Sequence, residues 1–363
     1  MNIKDFLEQE RARNANACNM VKNFSVFDFN YIPQEPIMRE ECAHLVREML
    51  SFETSGIPTH LLVIGSKGSG KTLTLRYLQK LLNTQTKLNI IYGNCREHNT
   101  TFKLFAHFLD VQARGASMSE LYNGFCERYS GKTVVLLDEI DLMSPKDRNR
   151  EILYFLSRSK NPYMVIMLSN NCRFLRDIDT STKSSLQPVT IYFRNYDAAQ
   201  IHEILRQRAK QGLHKWNDGT LAQIAALTTK KTNSDARVAI KTLFYSVTKD
   251  LKDIETCFEK AREDIIVDMI TDLSDPNLMI LQAIATSKSD FAKQIYQRYC
   301  YISSQHSEKP FSYVYFYSNL SCLQSMGLVA LIATKVDRTY ANRVMLTFDQ
   351  SVLEQIYKLR FGG

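Results

Sequence analysis

Eight consecutive residues carry the clearest chemistry in this 363-residue chain: Gly65, Ser66, Lys67, Gly68, Ser69, Gly70, Lys71 and Thr72 match GxxxxGK[ST] in full. In such a loop the glycines let the backbone curl, so that its N–H groups and the N-terminus of the next helix face a chain of phosphates. Lys71 is then placed to neutralise the β and γ oxygens, Thr72 to ligate Mg²⁺ through its hydroxyl, and Leu73 to open the helical run that reaches Leu82. The competing reading is a Gly-Ser turn before an unrelated helix. It is disfavoured because the apolar run Leu61 to Ile64 supplies a strand directly ahead of the loop.

A second group agrees with the first. Val134 to Leu137 is an apolar run that delivers Asp138 and Glu139 to its C-terminal end, with Asp141 just beyond. In a parallel sheet that end is where ligands sit. Asp138 is placed to hold a Mg²⁺ shell, and Glu139 to orient and deprotonate a water that attacks a γ-phosphate. Alone, the pair could also be acidic residues capping a helix, the less favoured reading. Met164 to Leu168 ends in Ser169, Asn170 and Asn171; the Asn170 amide either holds the attacking water or belongs to a plain Asn-rich turn.

The elements that must position these groups follow from the pattern. Apolar runs at Leu61–Ile64, Asn89–Tyr92, Thr133–Leu137, Tyr163–Leu168 and Val189–Phe193 alternate with helical stretches, predicting five parallel strands covered by helices on both faces. After Tyr196 the spacing is helical to about residue 265. From Ser274 onward, helices precede two strand candidates, Val329 to Ala333 and Val344 to Phe348, joined by a polar turn from Thr334 to Asn342, the order of a winged helix. With 44% hydrophobic residues the chain can bury a core, and no stretch approaches the ~18 apolar residues of a membrane span. The first 13 residues lack the apolar centre of a secretory signal, so the expectation is a soluble intracellular protein. Eight cysteines, no two closer than 22 positions, exclude paired-cysteine zinc or redox motifs. A net charge of +8 only hints at a polyanionic partner.

Together these residues resemble the AAA+ replication initiators of the archaeal origin-recognition and cell-division-control type, relatives of eukaryotic origin recognition subunit one. The resemblance spans nearly the whole chain. It implies an α/β P-loop AAA+ core with a five-stranded parallel sheet in residues 1–195, a helical lid in 196–268 and a C-terminal winged helix in 269–363. Tyr31, Ile32 and Pro33, followed by Arg39, are similar to the family's leading segment that contacts adenine, and Asn94-Cys95-Arg96 also fits its pattern. Asn170 falls on its sensor one position. Ser234 to Ile240 is similar to its sensor two signature, making Arg237 a γ-phosphate contact; without the resemblance, an arginine ahead of the inward-facing Ile240, Leu243 and Phe244 reads as a surface salt bridge. One departure stands out: Ser181 occupies the place where the family usually has an arginine before Ser-Ser-Leu. Lys183, Arg176 and Arg194 are the nearby substitutes, and lysine is the poorer planar donor to phosphate.

The implied cofactors are ATP or ADP with Mg²⁺. The implied partners are double-stranded origin DNA, the replicative helicase and paralogous initiators, with no membrane, in the cytoplasm at the nucleoid, or in the nucleus if the source is eukaryotic. ATP would act as a slow conformational switch with weak hydrolysis. Residues 270–363 hold nine basic and seven acidic residues, a surplus of only two, so DNA contact there rests on placement. Lys335, Arg338 and Arg343, with Thr339 and Tyr340, lie in or beside the predicted wing, where cations suit phosphate or minor-groove contact and an ordinary solvated loop is the bland reading. The helix from Ser312 to Met326 exposes Tyr315 and Ser318 as a hydroxyl-rich face that could line a major groove. Phe102 to Leu121 matches a helical insertion of this family, whose Lys103 and Arg114 could meet the DNA backbone or simply be solvated. Two other classes share parts of this pattern: a clamp-loader or transposition-type ATPase, and a nucleotide-binding winged-helix signalling switch.

Overall fold

The computed structural model describes the chain apart from residues 1–2, 8–10, 12–19, 113, 145–146, 148–149, 172–173, 250–252, 337–338 and 363, and gives the backbone alone for 335–336 and 339–341. It forms two compact units: residues 30–195, and residues 1–29 together with 196–363.

In the first unit, strands β1 (Leu61–Gly65), β2 (Asn89–Asn94), β3 (Thr133–Asp138), β4 (Tyr163–Ser169) and β5 (Val189–Phe193) make one parallel sheet in the order β2-β3-β4-β1-β5. The alternation of side chains along a strand sends β1 residues Leu61 and Val63 to one face and Leu62 and Ile64 to the other. The first face is covered by helices α1 (Glu40–Ser55) and α2 (Lys71–Gln85), through Leu45, Met49, Phe52, Leu75, Leu78 and Leu82. The second is covered by α3 (Thr101–Leu109), α4 (Met118–Arg128), α5 (Glu151–Ser157) and α6 (Thr180–Leu186), through residues such as Phe105, Phe125, Leu153 and Leu186. The predicted five-stranded layer between helices is therefore present. Every strand starts where its apolar run starts, but β1, β2, β3 and β4 each continue by one or two residues, to Gly65, Asn94, Asp138 and Ser169. The extensions are polar or glycine, and backbone pairing holds them although no hydrophobic signal marks them.

The second unit runs through α7 (Ala198–Gly212), α8 (Asp218–Lys231), α9 (Ala236–Thr248), α10 (Ile254–Thr271), α11 (Asp275–Thr286), α12 (Ala292–Gln305) and α13 (Tyr313–Ser325). The antiparallel pair β6 (Val329–Val336) and β7 (Thr339–Leu346) follows, and then α14 (Gln350–Phe361). Three helices before a hairpin give the winged-helix arrangement. The sequence reading placed residues 1–29 with the base domain; here they lie with this unit. Lys22 donates its N–H to the Gly212 carbonyl at 2.9 Å, and the buried Arg208 guanidinium bonds the carbonyls of Val26 and Asp28. Gly212 permits that approach, since a Cβ there would lie 2.2 Å from the Val26 side chain.

The sequence reading also ended the lid at residue 268 and began the third segment at 269, a cut that falls inside α10. That helix packs Phe258, Ile265, Ile266, Met269 and Ile270 into one cluster with Leu278, Ile295, Phe316, Leu320, Val344 and Leu353. At about 1.5–3 kcal/mol for each large side chain buried, α10 is a wall of the winged-helix core. The hairpin is longer than expected. Its register pairs Val336 with Thr339, so strand occupies most of what the pattern marked as a polar turn, because only the part near Val329 and Val344 is buried and apolar. Helix α13 holds no charged residue along its length.

His60, just ahead of β1, is buried, and its Nδ1 accepts the Val165 N–H of β4 at 3.1 Å. Burial pushes this imidazole down from the ordinary 6.5 to about 4. Between those values the unfolded chain binds a proton that the folded chain refuses, so stability falls as pH drops from 6.5 toward 4. The expected loss is about 3 kcal/mol, read from denaturant midpoints across that range. His60→Ala is expected to lower stability at neutral pH and to flatten that dependence.

Candidate functional site

The loop between β1 and α2 is curled by two glycines with left-handed backbone, Gly68 at φ 79° and Gly70 at φ 87°. Gly65 ends β1 so close to β5 that a Cβ on it would sit 2.7 Å from the Phe193 carbonyl. Helix α2 begins at Lys71 itself, so its free N–H groups and the positive end of its dipole point into the loop. Lys71 is buried, and its Nζ donates to the Gly65 carbonyl at 2.7 Å, the Ser66 carbonyl at 2.9 Å and Asn170 Oδ1 at 2.9 Å. The Asn170 amide thus meets the loop lysine across the boundary between β1 and β4, while its neighbour Asn171 donates its N–H to the Ser169 hydroxyl at the end of β4, at 2.9 Å.

Thr72 and Asp138 are also brought together: the threonine hydroxyl donates to Asp138 Oδ2 at 2.8 Å. A hydroxyl and a carboxylate are hard oxygen donors of the kind Mg²⁺ takes while keeping its remaining positions for water and phosphate oxygens. Among the described residues no group of three or more His, Cys, Asp or Glu is placed to hold a metal, and a Mg²⁺ held through Thr72, Asp138 and phosphate needs none. Glu139 has left-handed backbone at φ 51°. Burial and the neighbouring Asp138 charge push its carboxyl above the usual range, opposed by Arg96 and Lys67. A raised carboxyl beside a phosphate loop suits a general base.

The AAA domain family model matches residues 57–175. The chain is 28% identical over 296 residues to the ORC1-type DNA replication protein of Methanothermobacter thermautotrophicus, covering 77% of this chain and 80% of that one. It superposes with TM-score 0.64 on the Aeropyrum pernix ORC1 protein in complex with DNA, at 22% identity over 94% of this chain and 97% of the other. The Aeropyrum pernix ORC2 protein in its ADPNP-ADP complexes gives the same score at 21% identity, over 95% and 100%. The chain holds an AAA domain and resembles the ORC1-type DNA replication proteins. Neither the clamp-loader reading nor the signalling-switch reading is favoured by these likenesses, and the AAA domain lies within the first unit.

Several expected residues have partners within the protein itself. Arg39, expected beside an adenine, is buried and braces the loop from behind: Nη1 donates to the Ser69 carbonyl at 3.0 Å, and Nη2 reaches Glu41 Oε1 at 3.0 Å and the Arg194 carbonyl at the end of β5. Its guanidinium lies 5.4 Å from the centre of the Phe193 ring. Tyr31, Ile32 and Pro33 are half-buried in irregular chain ahead of α1, in the same compact unit. Arg237 lies in the second unit, forked onto Asp235 with Nε to Oδ1 at 3.0 Å and Nη2 to Oδ2 at 2.5 Å. Ser181 is exposed on α6, as are Lys183 on that helix and Arg176 and Arg194 outside it.

Of the expected DNA contacts, Arg343 is held by Asp290 through its Nε at 2.7 Å, at the base of the hairpin. Tyr315 is exposed and Ser318 half-buried on α13. Arg338 lies outside the described residues, as do the side chains of Lys335, Thr339 and Tyr340. Arg114 is exposed and lines a cleft of about 490 Å³ with Lys103, His98 and His107. Sequence reasoning missed Tyr92, whose hydroxyl donates to Asp138 Oδ2 at 2.9 Å; its one signal was a polar group at the end of an otherwise apolar run.

Lys71→Ala removes a charge-assisted phosphate donor and is expected to weaken nucleotide binding about 10- to 100-fold by calorimetry. For Glu139→Gln, hydrolysis is expected to fall about a hundredfold or more with nucleotide still bound. Because the raised carboxyl costs stability as pH climbs through its titration, the glutamine variant should also melt higher than the parent at neutral pH.

Proposed function

We propose that this chain is a nucleotide-switched initiator of DNA replication that recognises duplex origin DNA and helps bring the replicative helicase to it. The observation that carries this reading is the convergence of Lys71, Thr72, Asp138 and Asn170 at the C-terminal edge of the sheet, in a chain that also folds a winged helix. Lys71 and the loop N–H groups hold the phosphates of ATP or ADP, Thr72 and Asp138 hold Mg²⁺, and Glu139 activates water. Arg237, the γ-phosphate sensor of this reading, is a planar fork that holds Asp235 here and suits phosphate oxygens with the same geometry.

Ser181 makes hydrolysis slow. With no arginine at that place to stabilise charge in the transition state from a neighbouring subunit, the bound state outlives the chemistry and ATP serves as a timer. The relative resolved with DNA and the one resolved with ADPNP and ADP support both ligands for this chain. The protein works among paralogous initiators at the nucleoid; among the described residues no helix is long and apolar enough to cross a membrane.

On the DNA side, Lys335 and Arg338 are the phosphate contacts of this reading, whereas Arg343 serves mainly as the hairpin's tie to Asp290. The double variant Lys335→Ala/Arg338→Ala is expected to flatten the slope of log K against log salt by about 2, with Arg343→Ala changing it less. The test of the function is footprinting of the purified protein on total genomic DNA, with ATP and with ADP. Discrete protected sites at replication starts are expected, and uniform coverage would sink the reading.

A further inference from the structure

We propose that Tyr92 is a positioning residue for the metal-holding carboxylate: its hydroxyl, fixed by Arg76, presets Asp138 for Mg²⁺ before nucleotide and metal arrive. This rests on the nucleotide site proposed above.

Asp138 is almost wholly buried, and a buried carboxylate with unpaired oxygens is costly. It receives hydrogen bonds from three different elements. Its Oδ1 accepts the Glu139 N–H at 2.9 Å, and its Oδ2 accepts both the Thr72 hydroxyl at 2.8 Å and the Tyr92 hydroxyl at 2.9 Å. The Thr72 hydroxyl can keep its proton on Asp138 while a lone pair turns to Mg²⁺. Tyr92 has no such second duty. Its hydroxyl remains a partner behind the metal's own ligands, of the sort that sets the orientation and basicity of a ligating group.

The ring that carries this hydroxyl is stacked by one cation, and the backbone that bears it is anchored. Arg76 sits on α2, one turn after Thr72, with its guanidinium 4.2 Å from the ring centre. The backbone carbonyl of Tyr92 lies 3.3 Å from His107 Nε2 on α3. The residue that follows, Gly93, is packed so tightly that a Cβ there would lie 2.9 Å from both Leu104 and Phe108. The phenol therefore has little freedom to leave Asp138.

Tyr92→Phe keeps the ring and the Arg76 stacking and removes only the hydroxyl. Nucleotide affinity is measured by fluorescence of a labelled ADP, once in EDTA and once across a Mg²⁺ titration, with thermal melting as a check of folding. The expected result is a half-saturating Mg²⁺ concentration raised about tenfold, with affinity in EDTA unchanged. In the Asp138→Asn background the same substitution is expected to add nothing, since Tyr92 acts through that carboxylate. A Mg²⁺ titration matching that of the parent would overturn the proposal, as would an equal loss of affinity in EDTA. If the parent protein binds no nucleotide under either condition, the nucleotide site itself fails and takes this inference with it.

Discussion

A lysine ammonium that is almost fully buried must be surrounded by acceptors, because desolvation penalises its charge. Lys71 meets that demand with two carbonyls of its own loop and the Asn170 amide from the next strand. The strand order follows from the same requirement: β4 must lie beside β1 for Asn170 to reach, and β3 beside β4 for Asp138 to reach Thr72. The two hydrophobic layers hold that order rigid, with each face of the sheet filled by alternate residues of the same strands. A phosphate entering this site finds its cation already aimed and replaces one of these three acceptors with a stronger one.

Much of the first unit could be read from residue types. The loop motif, the five strand starts and the acidic pair after β3 each announce themselves by local pattern, since apolar runs report burial and glycines report curled backbone. What could not be read lies where a polar residue acts across a long separation. Arg39 reaches Ser69 and Arg194, and Tyr92 reaches Asp138; neither pairing leaves a periodic trace. The strand ends were short in the sequence reading for a related reason. Gly65, Asn94, Asp138 and Ser169 are polar or small because they form the ligand edge, so the hydrophobic signal stops where the chemistry begins.

The second unit was harder to divide from sequence. The spacing of α10 is helical throughout, and nothing in it reveals that its apolar face closes the winged-helix core and does not merely complete a bundle of α7 to α9. Charge was equally mute about Arg343, which looked like a cation offered to solvent and is instead tied to Asp290, an acidic residue 53 positions earlier. An ion pair between exposed side chains contributes little to stability, but it fixes where a long flexible side chain spends its time.

Helix α13 shows aromatic and hydroxyl groups to solvent and carries no formal charge. Such a surface exerts no long-range pull, so it cannot speed the encounter with any partner. It can act only after contact, by how well its Tyr313, Val314 and Tyr315 side chains fit what they meet. For any partner that docked on it, such a helix would leave association rates to the cations elsewhere on the chain and set how long the complex lasts, a share of binding that added salt leaves largely untouched.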